Sequence, residues 1–247
     1  MPGGFTNKPK ILRGAFVEYG LSIPPQVVVF QFNPVQLTRN RGLTYSAPND
    51  TIICPPCPPA VEPRKVEKPI SLREFHHREF KDKDDLLAIR DQQQVTVQEE
   101  SIGLDIRLDA TDDLNEGDPI VGLLGILPRL ATLELMIHPK GESLIGQAVG
   151  KLLGSPGGFS FTKGQNPPMI LFIWGYTRVL PVNINSMNIT ETEFNTLLNP
   201  IRATVAVSLT VIEGPNIPYT YSKAMKEAMS VLNLANLTEI ADVVIPG

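Results

Sequence analysis

The sequence predicts a mainly β protein with flanking helices, an α+β chain built on an antiparallel sheet or barrel closed by a helix. Three observations carry this expectation. Residues 168–176, 182–190 and 201–212 read as consecutive strands. In the last, Ile201, Ala203, Val205, Val207, Leu209 and Val211 share one face, while Arg202, Thr204, Ser208 and Thr210 lie mostly on the other. Ser101–Asp109 repeats the pattern, with Ile102, Leu104, Ile106 and Leu108 alternating with Gly103, Asp105, Arg107 and Asp109. Helical spacing is confined to a central segment and one near the C-terminus. Such strands build a sheet and carry no chemistry, because their outward groups are mostly short hydroxyls rather than clustered acids, bases or nucleophiles.

In chain order, residues 10–19 and 26–32 read as an opening strand pair joined by a Gly/Ser/Pro turn at 20–25, and the second strand ends in Phe32-Asn33-Pro34, a turn former. These belong to a first region, 1–40. From 41 to 94 the periodicity dissolves: seven of the 23 prolines fall between Pro48 and Pro69, and 64–90 is heavily charged. A short helix at 82–90 is the regular element expected there, with Leu86, Leu87 and Ile89 among good helix formers. This Pro-rich and charged insertion reads as an extended arm that needs a neighbouring subunit as support, since its composition offers little apolar area to offset the entropy of ordering.

The region 95–212 resumes the sheet. After Ser101–Asp109 come an acidic loop at 112–118 and a helix at about 119–136, with Ile120, Leu123, Leu124 and Leu127 at helical spacing. Pro119 suits a first helical turn; Pro128 kinks the helix or starts a second one. Residues 139–168 read as a loop with a short helix at 143–153. The slip in phase between Val182/Ile184 and Met187/Ile189 predicts a β-bulge. The C-terminal extension, 213–247, is expected to hold a helix at about 222–236 with Met225, Ala228, Met229 and Leu232 on one face.

Composition narrows the function classes. With 247 residues, 42% apolar and 19% charged, the chain is long and apolar enough for a sizeable core. Its longest apolar runs, 168–174 and 120–127, fall far short of the roughly 20 residues a bilayer helix needs. The first ten residues lack the apolar core of a secretory signal, so cytoplasmic assembly is expected, with any release left to some other event. Acidic residues number 26 against 22 basic ones, and the basic ones are mostly dispersed, which argues against nucleic acid as a partner.

No enzymatic, cofactor or metal motif emerges. Cys54 and Cys57 sit in Cys-Pro-Pro-Cys-Pro-Pro. A polyproline II path separates such a pair by roughly 9 Å between Cα atoms, beyond the roughly 7 Å reach of a disulfide, and zinc would need two further ligands. His76, His77 and His138 have no Ser or Cys nucleophile in a recognisable motif. Gly154-Ser-Pro-Gly-Gly158 lacks the Gly-Lys-Ser/Thr ending of a phosphate loop, and the acidic loop lacks the order of a calcium loop.

Two blocks of the chain resemble a known family. One is Val29-Phe-Gln-Phe-Asn-Pro-Val-Gln-Leu-Thr-Arg39. The other runs from Pro167-Pro-Met-Ile-Leu-Phe-Ile-Trp-Gly175, through Val182-Asn-Ile-Asn-Ser-Met-Asn-Ile-Thr-Glu-Thr-Glu-Phe194, to Asn199-Pro-Ile-Arg-Ala-Thr-Val-Ala-Val-Ser-Leu-Thr210. In order and spacing they are similar to the baseplate tube-initiator, or hub, proteins of contractile injection systems. The resemblance implies the β-barrel fold of phage tail tubes and type VI secretion tubes, here with a long insertion. It also implies six-membered rings between spike and first tube ring, with inner tube protein, spike protein and other baseplate subunits as partners. Many members carry a C-terminal LysM module; here only about 35 residues follow Ile212, and they read as one helix. Phe32, Asn33, Pro34, Trp174 and Gly175 are the expected assembly-interface residues. A phage spike-hub or minor tail protein and a cell-wall-binding tail accessory protein are the alternative readings.

Overall fold

The computed structural model describes residues 12–20, 26–48, 50–53, 65–79, 86–139 and 166–233. The expected helix at 143–153, the Cys54/Cys57 pair and the glycine-rich stretch at 154–158 lie outside them. The chain divides into two units, residues 1–40 with 101–247, and residues 41–100.

The first unit opens with β1 (Ala15–Glu18), β2 (Val27–Val29) and β3 (Leu37–Asn40). The second contains β4 (Leu43–Ser46), β5 (Asp50–Ile53), β6 (Lys65–Lys68), α1 (Leu72–Glu79), α2 (Leu86–Gln92) and β7 (Gln94–Val97). The first unit resumes with β8 (Ser101–Asp109), α3 (Thr111–Asn115), α4 (Pro119–Leu124) and α5 (Leu127–Leu135). It finishes with β9 (Ile170–Trp174), β10 (Arg178–Phe194), β11 (Pro200–Val211) and α6 (Ile217–Asn233).

Seven strands of the first unit form one curled, half-barrel antiparallel sheet in the order β2-β1-β9-β10-β11-β8-β3. Its backbone is the β8–β11–β10 ladder, in which Val205 stands opposite both Ile106 and Ile189. The alternation in β8 and β11 puts Ile102, Leu104, Ile106, Leu108, Ala203, Val205, Val207, Leu209 and Val211 on the buried face. The expected bulge falls at Asn185, between the Ile184 and Ser186 pairings. The core is completed by Phe16, Phe30, Phe172 and Leu180 from the other strands and by Ile126, Leu130, Leu133 and Met136 of the α5 segment. Phe16 meets Phe30 edge-on with centroids 5.1 Å apart, a favoured aromatic arrangement.

The helical segment after β8 departs from its sequence pattern twice. The acidic loop at 112–118 contains a helical turn, α3. The single helix at 119–136 is two: Asp118 caps α4 by accepting hydrogen bonds from the Ile120 and Val121 amides, Gly125 ends it at φ 57°, and α5 starts at Leu127, one residue before Pro128. The apolar stripe of α4 stays uncovered, with Ile120, Leu123 and Leu124 exposed. A Cβ at residue 125 would collide with the Pro200 carbonyl, so the break needs glycine for contact as well as for φ.

Residues 41–100 hold more regular structure than the one short helix expected in the insertion at 41–94. Leu43 pairs with Val97 and Tyr45 with Val95 in the β4–β7 ribbon, and β5 pairs with β6. Ala47, Phe75 and Ile89 form a small core, with Ile70 and Leu72 packed against it. The helix expected at 82–90 lies at Leu86–Gln92. Strands of four residues whose partners lie far along the chain leave no local period to read, and three buried side chains from separate segments leave no run.

Candidate functional site

Three side chains take the place of strand partners where the sheet's ladders stop. Gln31 follows β2 and reaches the end of β8: its Nε2 donates to the Asp109 carbonyl at 2.6 Å, and its Oε1 accepts from the Asp109 amide at 2.9 Å. One isolated bridge, Phe32 to Arg107, lies beside it. Asn33 does the same for the chain entering β1: Oδ1 accepts from the Gly14 amide at 2.9 Å and Nδ2 donates to the Leu12 carbonyl at 2.7 Å. Buried Ser222 of α6 accepts from the Val179 amide and donates to its carbonyl, both at 2.8 Å, just past the end of β11. An amide side chain offers the donor and acceptor of a peptide group, and a serine hydroxyl can do both at once.

Asp109 is the hub of a polar network at this seam. Its carboxylate accepts from the Thr111 amide and hydroxyl and from Arg202 Nε at 2.8 Å. Burial by itself would raise its pKa, but the Thr111 and Arg202 hydrogen bonds and the Arg202 charge together hold the carboxyl below its ordinary value. Arg202 also reaches Glu193 at 2.7 Å, and Arg129 joins Gln31 Oε1 to Asp113, each at 3.0 Å. A donor holds every carboxylate of the network, which ties the end of β8 to Gln31, Arg129 and β11.

The expected interface residues are partly brought together. Asn33, Trp174 and Gly175 line one shallow, open cleft of about 360 Å³ with Leu12, Gly14, Thr177 and Arg178. Trp174 stacks on Phe172 at 6.0 Å, and the Gly14 backbone passes so close that a Cβ there would lie 2.8 Å from the Trp174 ring. Gly175 takes φ 65° in the β9–β10 turn. Phe32, exposed, sits at the seam, and Pro34, half-buried, does not line the cleft. Sequence reasoning missed Gln31, Asp109, Arg202 and Ser222, which read as ordinary outward residues of strands or of a helix. Only the pairing of distant segments gives them their role.

The two ends of β10 differ in what surrounds them. Residues 178–182 pair with β9, and residues 182–194 pair with β11. Past Val182 no described strand lies on the side away from β11, because β9 begins at Ile170 and the preceding Pro167 and Pro168 have no amide hydrogen to extend the ladder. The bond from the Ile212 amide to the Pro181 carbonyl, and that from Ala110 to Ile201, fix the alternation. Accordingly Thr190 and Thr192 bond toward β11, while the N–H and C=O groups of Met187, Ile189 and Glu191 point outward.

Among the described residues no group of three or more His, Cys, Asp or Glu could hold a metal ion. No described helix is long and apolar enough to cross a membrane. No protein-family model and no curated protein matches this chain.

Proposed function

We propose that this chain is a structural component of a phage-tail-like contractile injection particle, a baseplate hub whose copies form a ring that links the spike to the inner tube and nucleates tube assembly. The observation that supports this reading is the one-sided half of β10, a run of outward amides and carbonyls along which no described strand lies. Such an edge pairs with another chain unless it is covered or blunted. In a ring, each copy's β10 edge receives an edge strand of its neighbour, β2 or β3, and a head-to-tail contact of this kind closes when the rotation per copy divides the circle. Six copies follow from the family resemblance, as does the tube-type barrel within which the curled sheet is placed. The ring then templates the inner tube on one side and adapts to the spike on the other, while residues 41–94 reach other baseplate subunits.

Glu191→Pro tests the proposal. It removes one outward amide hydrogen from an exposed residue and no bond to β11. The purified variant is expected to keep the wild-type fold but to fail to enter particles when it replaces the wild-type chain. Normal incorporation would contradict the edge as the assembly contact.

A further inference from the structure

The far end of the β10–β11 hairpin is a rigid apolar knob. Its loop is clamped from within, because Asn195 Oδ1 accepts from the Leu197 and Asn199 amides, each at 2.9 Å. It is clamped to α4 as well: Asn195 and Asn199 donate to the Leu123 carbonyl at 3.1 and 2.7 Å, and the Ile126 amide donates to the Pro200 carbonyl at 2.9 Å. Leu198 is held at φ 62°, in the left-handed region that a leucine rarely occupies, with its side chain 81% exposed. Strain of that kind persists only where the surroundings impose it. Beside it Phe194, Leu197, Ile120, Leu123 and Leu124 are also exposed, so α4 and the loop present one joined apolar surface.

The rim of this surface is acidic. Asp112, Asp113, Glu116 and Asp118 lie on the approach to α4, and Glu191 and Glu193 lead into the loop. Among the described residues, the guanidiniums that meet them are Arg129 on Asp113 and Arg202 on Glu193, and Asp118 is engaged in capping α4, which leaves Asp112, Glu116 and Glu191 without a described guanidinium. Two copies of the knob face to face would set one acidic rim against the other, which selects against self-association through it.

We infer that the hairpin knob is a docking site for another protein, through an apolar segment bordered by lysine or arginine. Leu197 and Leu198 enter its apolar groove and the acidic rim meets its basic border. This contact uses side chains at the hairpin end, and neither the outward amides and carbonyls of β10 nor the cleft at Trp174, so it stands whether or not the ring forms.

The test uses the full-length chain and two labelled 18-residue amphipathic helical peptides of identical leucine face, one with a lysine border and one with a glutamate border, in fluorescence anisotropy. The lysine peptide is expected to bind and the glutamate peptide not to. Leu197→Ser with Leu198→Asn, chosen because asparagine tolerates the left-handed backbone, is expected to weaken binding at least tenfold with a melting temperature no lower than that of the wild type. Asp112→Asn and Glu116→Gln together should weaken it and flatten its salt dependence. Equal binding of both peptides, or lysine-peptide binding indifferent to the leucine pair, would overturn the inference. So would a wild-type dimer in sedimentation velocity that the leucine substitutions abolish, because the occupant would then be a second copy.

Discussion

The two halves of β10 are one continuous strand in two different situations. From Arg178 to Val182 it is flanked by β9, and at Val179 the Ser222 hydroxyl fills the other side, with Leu180 and Val182 buried. From Asn183 to Phe194 it has β11 on one side, and its side chains are half-buried or exposed. The first half is complete within one chain. The second has the same backbone chemistry but an outward row of donors and acceptors. The molecule spends specific side chains on finishing strand ends at Asp109, Gly14 and Val179, yet no described strand or strand-mimicking side chain lies along this longer edge. That contrast is what the proposed ring contact rests on.

The largest expected effect belongs to the finished half. Phe172→Ala and Leu209→Ala each empty a fully buried site and should cost roughly 2 to 5 kcal/mol in denaturant unfolding. A change below about 1 kcal/mol would mean the sheet faces are misassigned. Next comes a matched pair in the open half. Thr190→Pro removes a bond to β11 and should destabilise the fold clearly in denaturant unfolding; Glu191→Pro removes an outward amide hydrogen and should cost well under half as much. Equal losses would show that the outward row is already paired in the isolated chain.

A smaller effect distinguishes the seam. Because the Asp109 carboxyl is lowered in the folded state, its contribution to stability is present above the unfolded carboxylate value of about 4 and is lost as pH falls through the folded value. The stability gap between wild type and Asp109→Asn should therefore be constant at neutral pH and shrink on acidification; a gap that widens on acidification would contradict the assignment. Smallest is Leu198→Gly, which relieves left-handed strain at the hairpin tip and should raise stability by about 1 kcal/mol, read as a small increase in Tm.

How much of this was legible depended on whether the information was local. The strict alternation of Ser101–Asp109 and of the strand starting at Ile201 reports burial on one face directly, and the phase slip around Asn185 announced the bulge. Pro119 and Pro128 marked helix starts. Gln31 is the opposite case: it occupies an ordinary polar position, and its role at Asp109, 78 residues away, exists only because the sheet curls. The strands of residues 41–100 were hidden for the same reason, since Leu43 and Val97 become partners only after the intervening chain has folded back. The stripe Ile120, Leu123, Leu124 was read as an ordinary amphipathic helix, but the break at Gly125 leaves it exposed, which periodicity cannot register. Of the expected assembly-interface residues, Asn33, Trp174 and Gly175 line one cleft and Phe32 and Pro34 do not, a grouping that adjacency in the chain does not reveal.

The central claim is that the open half of β10 is completed by a neighbouring copy in a closed ring. A cryo-electron map of the assembled particle tests it most directly. The account predicts six copies around one axis, each with a strand of its neighbour laid along Met187, Ile189 and Glu191; a three-fold or asymmetric placement, or six copies with that edge facing solvent, would contradict it.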